Sequence, residues 1–382
     1  MFRKHLYTLL FLALVTVCAQ TAHALPADYY TKTSKLAAGK WVKIKVTDTG
    51  MQELSFARLK EMGFSDPSKV AVYGYPGTTL RFYNFSTQLP DDLPAVPSAV
   101  YDDKLVFYGV GADEAYARVG PTSSTPYVPV MFANLENTES YYFLTDSAPR
   151  MEVAVTDAAV SADFPAVEKA YGVAWHNYKD VHGGVGAYLM SRNLLNEPEQ
   201  KLDCTFHLPA YDTSLLGTSG QTKDRISVAL RGAFRGNTSG VTFSINGSHT
   251  EDVWQFYAST LKYLAYQLSG VRVKEFTDVP LSDDGNYTLS FVPYSQLENT
   301  DMLALDYVAL TYPRTTDVSD GAQHQLFFRN LSAGEGVKLS GATATTRVWK
   351  LPLADIPEAL TVKKIDEDGA LGVALAEEVY MP

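Results

Sequence analysis

The sequence is poor in the residue types that build most catalytic centres. It holds two cysteines in 382 residues, Cys18 and Cys204. Cys18 falls inside an N-terminal export signal, so the mature chain keeps Cys204 alone. That excludes an intrachain disulfide and a multi-cysteine zinc site. Histidine is sparse as well: the mature chain has His176, His182, His207, His249 and His324. No pair has helical metal-binding spacing, and no His-Glu-x-x-His occurs. No Gly-x-Ser-x-Gly nucleophile elbow is present. Basic charge is short, with 32 Lys and Arg against 43 Asp and Glu, a formal charge of −11. Arg3 and Lys4 leave with the signal, which takes the mature chain to about −13. An acidic chain without an evident Lys/Arg cluster is a poor match for nucleic acid or anionic lipid, and neither is an expected partner. No long apolar run follows the signal, so no transmembrane segment is expected after cleavage.

What the chain does have begins with that signal. Arg3 and Lys4 form a positive start, Leu6 to Val17 is a short apolar run, and Ala22-His23-Ala24 supplies small residues at a cleavage site. Cleavage is expected after Ala24, leaving a mature chain from Leu25. A lipoprotein signal using Cys18 fits less well, because Val17 stands where a small residue is needed. The protein is therefore expected to be exported, to the periplasm, the outer membrane or the cell surface. Tyrosine is abundant, at 24 residues, and suits strands and sheet edges.

The patterning is that of a mainly β protein. Val42, Ile44 and Val46 alternate with polar residues, the mark of a half-buried strand, and Asp48-Thr49-Gly50 reads as the turn that ends it. A short helix follows, with Ser55 as N-cap, Leu54 and Leu59 as a hydrophobic staple and Gly63 as the stop. Val70–Tyr73, Leu105–Tyr108, Tyr141–Leu144 and Met151–Val155 read as strands. Gln88–Asp103 and the proline-bearing Val119–Pro129 read as loops. Later, Ile226/Val228/Leu230, Val241/Phe243/Ile245 and Tyr287/Leu289/Phe291 alternate, and Leu303–Tyr312 is an apolar run. Short strands between Gly, Asn and Asp turns predict an antiparallel β-sandwich, with Asn246-Gly247 as a tight hairpin turn. Trp254–Leu268 is compatible with either helix or strand. The expected organisation is an N-terminal α+β domain over 25–165, a β-sandwich over 166–345 and a tail over 346–382 with strand-like pieces such as Leu371–Leu375.

The motifs that resemble chemistry have plainer readings beside them. Cys204 alternates with Leu202 and Phe206, which places it on a buried strand face and not in a nucleophile's electropositive setting. His176, Asp180 and His182 share one stretch; a metal site there would need carboxylate partners, Asp180 is the only near one, and the stretch reads first as a glycine-rich connection between domains. Gly183-Gly184-Val185-Gly186 lacks the strand, helix and lysine of a phosphate loop. Asp283-Asp284-Gly285-Asn286 reads as a hairpin turn before it reads as a calcium loop. Trp254, Tyr257, Tyr263 and Tyr266 could stack on sugar rings, or pack between sheets. The sequence thus yields no catalytic, cofactor-binding or metal-ligating residue.

Taken in order, the motifs resemble the pre-catalytic region of the gingipain-type peptidases of the type IX secretion system, the family that includes its C-terminal signal peptidases. The resemblance rests on Gly39–Val46 with Thr49-Gly50, Leu54 and the Leu59–Gly63 helix end. It continues through Val72-Tyr73-Gly74, Asp102-Asp103 with Val106–Gly109, and Tyr141–Leu144. It then runs through Phe243–Gly247, Leu305–Leu310 with Tyr312 and Arg314, and Arg347-Val348-Trp349. The sequence departs from that family at Lys350-Leu351-Pro352, and it stops at Pro382, where the caspase-like domain bearing the catalytic His and Cys is expected. The resemblance therefore implies an exported, non-catalytic module with a propeptide-like domain and a β-sandwich. Its expected partners are proteins of the outer-membrane secretion assembly, with a role in cargo secretion and surface attachment. A glycan-binding or adhesin-like surface protein is the alternative.

Overall fold

The computed structural model describes residues 31–75, 92–111, 113–118, 128–133, 139–156, 165–177 without 168, 192–193, 202–212, 214, 226–235, 238–257, 267–268, 272–276, 286–293, 302–328, 336–351 without 344, 358–360, 363–364 and 371–374. The fold is mainly β and its strand pairing is mainly antiparallel.

The chain begins with β1 (Val42–Val46), β2 (Gly50–Ser55) and a short helix α1 (Phe56–Glu61). It continues with β3 (Ala71–Tyr73), β4 (Ala95–Val96), β5 (Ser98–Tyr101), β6 (Lys104–Gly109), β7 (Asp113–Arg118), β8 (Val128–Ala133) and β9 (Ser140–Thr145). They form a four-stranded sheet in the order β1-β9-β3-β4, a three-stranded sheet β2-β6-β5 and the β7–β8 hairpin. The alternation in β1 is realised: Lys43 and Lys45 are exposed, while Val42, Ile44 and Val46 turn to a core built on Leu59, Phe64, Val70, Leu105, Phe107, Tyr142 and Leu144. Each such side chain contributes about 1.5–3 kcal/mol on burial. Ser55 caps α1, its hydroxyl accepting from the Arg58 N–H at 3.2 Å, and Leu54 and Leu59 pack into the same core. Gly63 leaves the helix at φ +88°, where a Cβ would be strained.

Three segments differ from the sequence reading. β2 begins at Gly50, in the expected turn. Its alternation is weak, and pairing with β6, Leu54 against Leu105, holds it as a strand. β4 and β5 lie in the expected 88–103 loop. They flank Pro97 and occupy the edges of their sheets, the places where a sheet tolerates proline. Pro129 lies in β8, whose two-stranded hairpin is all edge.

β10 (Ala154–Thr156) and β11 (Ala166–Val167) lead to the sandwich. Its strands are β12 (Lys169–Asn177), β13 (Arg192–Asn193), β14 (Leu202–His207), β15 (Ile226–Arg235), β16 (Thr238–Ile245), β17 (Ser248–Tyr257), β18 (Gln267–Leu268), β19 (Arg272–Phe276), β20 (Asn286–Pro293) and β21 (Met302–Thr315). One sheet runs β12-β21-β15-β18, with β13 beside β21 and β19 beside β15; the other runs β14-β20-β16-β17. Asn246 and Gly247, at φ +44° and +77°, form the two-residue turn between Ile245 and Ser248. Opposite Tyr312 on the neighbouring strand stands Gly172, where a Cβ would lie 2.3 Å from the phenol Cζ. Only glycine leaves room there for the ring.

Late strands return to early ones. β22 (Gly336–Leu339), β23 (Val348–Lys350), β24 (Glu358–Leu360), β25 (Lys363–Lys364) and β26 (Leu371–Ala374) form two sheets, β10-β24-β23 and β11-β22-β26-β25. The strand-like piece expected from Leu371 is β26. Trp349 packs beside Ala99, Val153 and Tyr101, and the Arg347 guanidinium lies 5.1 Å from the Tyr101 ring centre.

Candidate functional site

Two polar constellations stand out among the described residues. The first surrounds Arg314, at the end of β21 and 2% exposed. Its Nε donates to the Thr315 carbonyl at 3.1 Å, its Nη2 donates to the Asp317 carbonyl at 2.9 Å, and its Nη1 meets His324 Nδ1 at 3.2 Å. His324 Nε2 lies 2.7 Å from Asp320 Oδ1, which also accepts the Ala322 N–H at 2.9 Å. These two donors hold the Asp320 carboxyl below the usual range, the backbone bond contributing most. Burial weakens the guanidinium's hold on its proton and pushes the Tyr312 hydroxyl up to about 12.

The same turn is stitched outward. Thr316 donates to the Lys338 carbonyl, the Val318 N–H donates to the Ser340 carbonyl at 3.0 Å, and the Gln323 amide closes on Gly50 of β2. A carboxylate, an imidazole and a guanidinium in a row resemble a relay. Each of the three guanidinium nitrogens meets an acceptor supplied by the chain itself. Such an arrangement ties β21 to the turn that follows it.

The second constellation is the outer face of β1 and β9. Pairing places Lys43 opposite Phe143 and Lys45 opposite Tyr141, so these four side chains share the face away from the core. The Lys43 ammonium stands 3.6 Å from the Tyr141 ring centre. Lys45 pairs with Glu139, which accepts the Tyr141 hydroxyl at 2.7 Å. The pair acts in both directions: the hydrogen bond from Lys45 lowers the Glu139 carboxyl, and the bond to Glu139 raises the Lys45 ammonium. Tyr141 is 40% exposed. Trp41 stacks edge-on against Tyr73 at 5.4 Å at the far end of the face. Residues 31–75 carry eight Lys and Arg against four Asp and Glu, a local surplus of positive charge in a chain of net −11. Whole-chain charge hides this surplus; a running count along the sequence reveals it.

The motifs weighed in the sequence fall as follows. Cys204 is buried beside Phe206 and Leu208, while Asp203, Thr205 and His207 face outward. His176 lies on β12 opposite Val308. Asp180, His182, the Gly183–Gly186 run, Tyr263, Tyr266 and the Asp283-Asp284-Gly285 turn lie outside the described residues, as do the side chains of Trp254 and Tyr257. No group of three His, Cys, Asp or Glu that could hold a metal occurs among the described residues. No helix of the described residues is long and apolar enough to cross a membrane.

No protein-family profile matches the sequence, and no curated protein matches it. A carbohydrate-binding module, CBM36 in complex with calcium and xylotriose, aligns at a TM-score of 0.23 with 11% identity, over 36% of this chain and 98% of its own; likeness that low carries nothing about function. The crystal structure of dimeric latent PorU from Porphyromonas gingivalis aligns at a TM-score of 0.69 with 22% identity, over 92% of this chain and 32% of PorU. The chain thus spans about a third of PorU's length, and over that third it shares PorU's fold.

Proposed function

We propose that this chain is an exported, non-catalytic interaction module that serves the secretion and surface attachment of cargo proteins by a type IX secretion system. One observation carries the reading: the fold of nearly the whole chain follows one third of latent PorU. The sequence resemblance supports it independently. Its motifs fall in order on β1, α1, β3, β6, β9, the Asn246-Gly247 hairpin, β21 and β23. Residues 25–165 act as the propeptide-like domain, 166–345 as the sandwich, and 346–382 as strands that return to both.

In this reading the module docks on proteins of the outer-membrane secretion assembly, on the periplasmic or outer face. It supplies surface and not chemistry: the polar cluster at Arg314 is closed on itself, and the Lys43/Lys45 face is open. The test uses the purified mature chain and outer membranes from a bacterium that secretes through this system. The reading expects saturable binding that disappears with membranes from a strain lacking the assembly. Equal binding to both membranes, or none to either, overturns it.

A further inference from the structure

We infer that the outer face and the outer edge of β1 form a docking strip for an extended acidic polypeptide segment of a partner protein. The inference deepens the interaction-module reading and rests on it.

Three observations converge. First, β1 has a strand partner on one side alone among the described residues, β9. An edge strand offers unpaired main-chain groups to an added strand, and such addition draws its affinity from main-chain hydrogen bonds and its specificity from alternate side chains. Second, the alternate side chains of β1 that face outward are Lys43 and Lys45, about 7 Å apart along the strand. An added strand with carboxylates at every second residue matches that repeat. Third, the face is prepared for anions and not merely solvated. Lys43 forms no ion pair among the described residues, and its ammonium is held over the Tyr141 ring. Lys45 already holds one carboxylate, that of Glu139, and an incoming carboxylate would compete with it for the same ammonium. Glu139 is thus an internal competitor, and its neutralisation should strengthen binding where a purely structural ion pair would only weaken the fold.

Charge sets the class of occupant. The strip lies in a stretch of the chain with surplus positive charge, so an acidic segment is attracted and a basic one repelled. Exposed ion pairs are individually weak, so binding should be modest and strongly salt-dependent.

The test uses the full mature chain, a ten-residue peptide alternating Glu and Val, and its Lys-Val counterpart, read by fluorescence anisotropy. The Glu peptide is expected to bind saturably and to weaken by about tenfold or more on raising salt from 50 to 500 mM or in K43E/K45E. It should tighten in E139Q, and the Lys peptide should not bind. K43Q/K45Q keeps the test decisive if charge reversal disturbs folding. The inference is overturned by absence of Glu-peptide binding, by binding unchanged in both lysine variants, by equal binding of the Lys peptide, or by a lysine-dependent response to phosphatidylglycerol vesicles or to a second copy in place of the peptide. Peptide binding without assembly-dependent membrane binding removes the proposed function and leaves this strip standing. Membrane binding without peptide binding does the reverse.

Discussion

Arg314 Nη1 and His324 Nδ1 lie 3.2 Å apart, and that contact determines which tautomer the imidazole adopts. A guanidinium has donors and no acceptor. Nδ1 must therefore present its lone pair, and Nε2 carries the proton that it donates to Asp320 at 2.7 Å. Nitrogen-15 chemical shifts of His324 should report the proton on Nε2 and the lone pair on Nδ1. A protonated Nδ1 there would contradict the geometry.

Removing the imidazole leaves a buried donor of Arg314 without its acceptor. His324→Ala should cost about 1–3 kcal/mol in urea unfolding. Arg314→Met should cost less than the loss of three hydrogen bonds suggests, because it removes the buried charge together with its donors. If His324→Ala is neutral, the turn is not held through this contact.

Gly172 and Tyr312 make a second steric test. A Cβ at residue 172 meets the phenol Cζ at 2.3 Å and its Oη at 2.5 Å. Gly172→Ala should destabilise by about 1–3 kcal/mol through overpacking, and the Gly172→Ala/Tyr312→Leu double variant should recover part of that loss. Additive losses would show that the two positions do not compete for space.

The exposed carboxylates give the pH dependence its sign. Asp66, Glu139 and Asp320 are all lowered in the folded chain: by Ser68 and Lys69, by Lys45 and Tyr141, and by the Ala322 N–H and His324 respectively. The unfolded chain therefore binds protons first as pH falls. The stabilisation is present above the ordinary carboxylate range and is lost below about pH 4. Lys45, raised by Glu139, adds a term that is full at neutral pH and disappears only as pH rises through its folded value. Thermal denaturation from pH 8 down to pH 3 should show a plateau and then a fall. A maximum near pH 4 would contradict this.

Cys204 is a thiol buried on β14. It should resist a thiol reagent in the native chain and react at once in denaturant. Rapid native labelling would revive the nucleophile reading set aside on the sequence.

Period-two alternation made β1 legible, because it buries Val46 and exposes Lys43 and Lys45, and the same alternation marked β16 and β20. Ser55, Gly63 and Asn246-Gly247 were legible because caps and tight turns admit few residue types. β2, β4 and β5 were not, since long-range pairing with β6 and β3 stabilises them more than their own composition does. The Arg314–His324–Asp320 contact was hidden for another reason. Its members lie four and ten residues apart in an irregular turn, a spacing with no periodic signature. The lysine strip was open to view in β1 but was masked by the acidic total.

The proposed role in cargo attachment is best tested by deleting the gene in its native host and following type IX cargo by surface labelling. Cargo should fail to reach or stay on the surface, and the intact gene should restore it while K43E/K45E restores it poorly. Normal cargo processing and attachment in the deletion strain would contradict it.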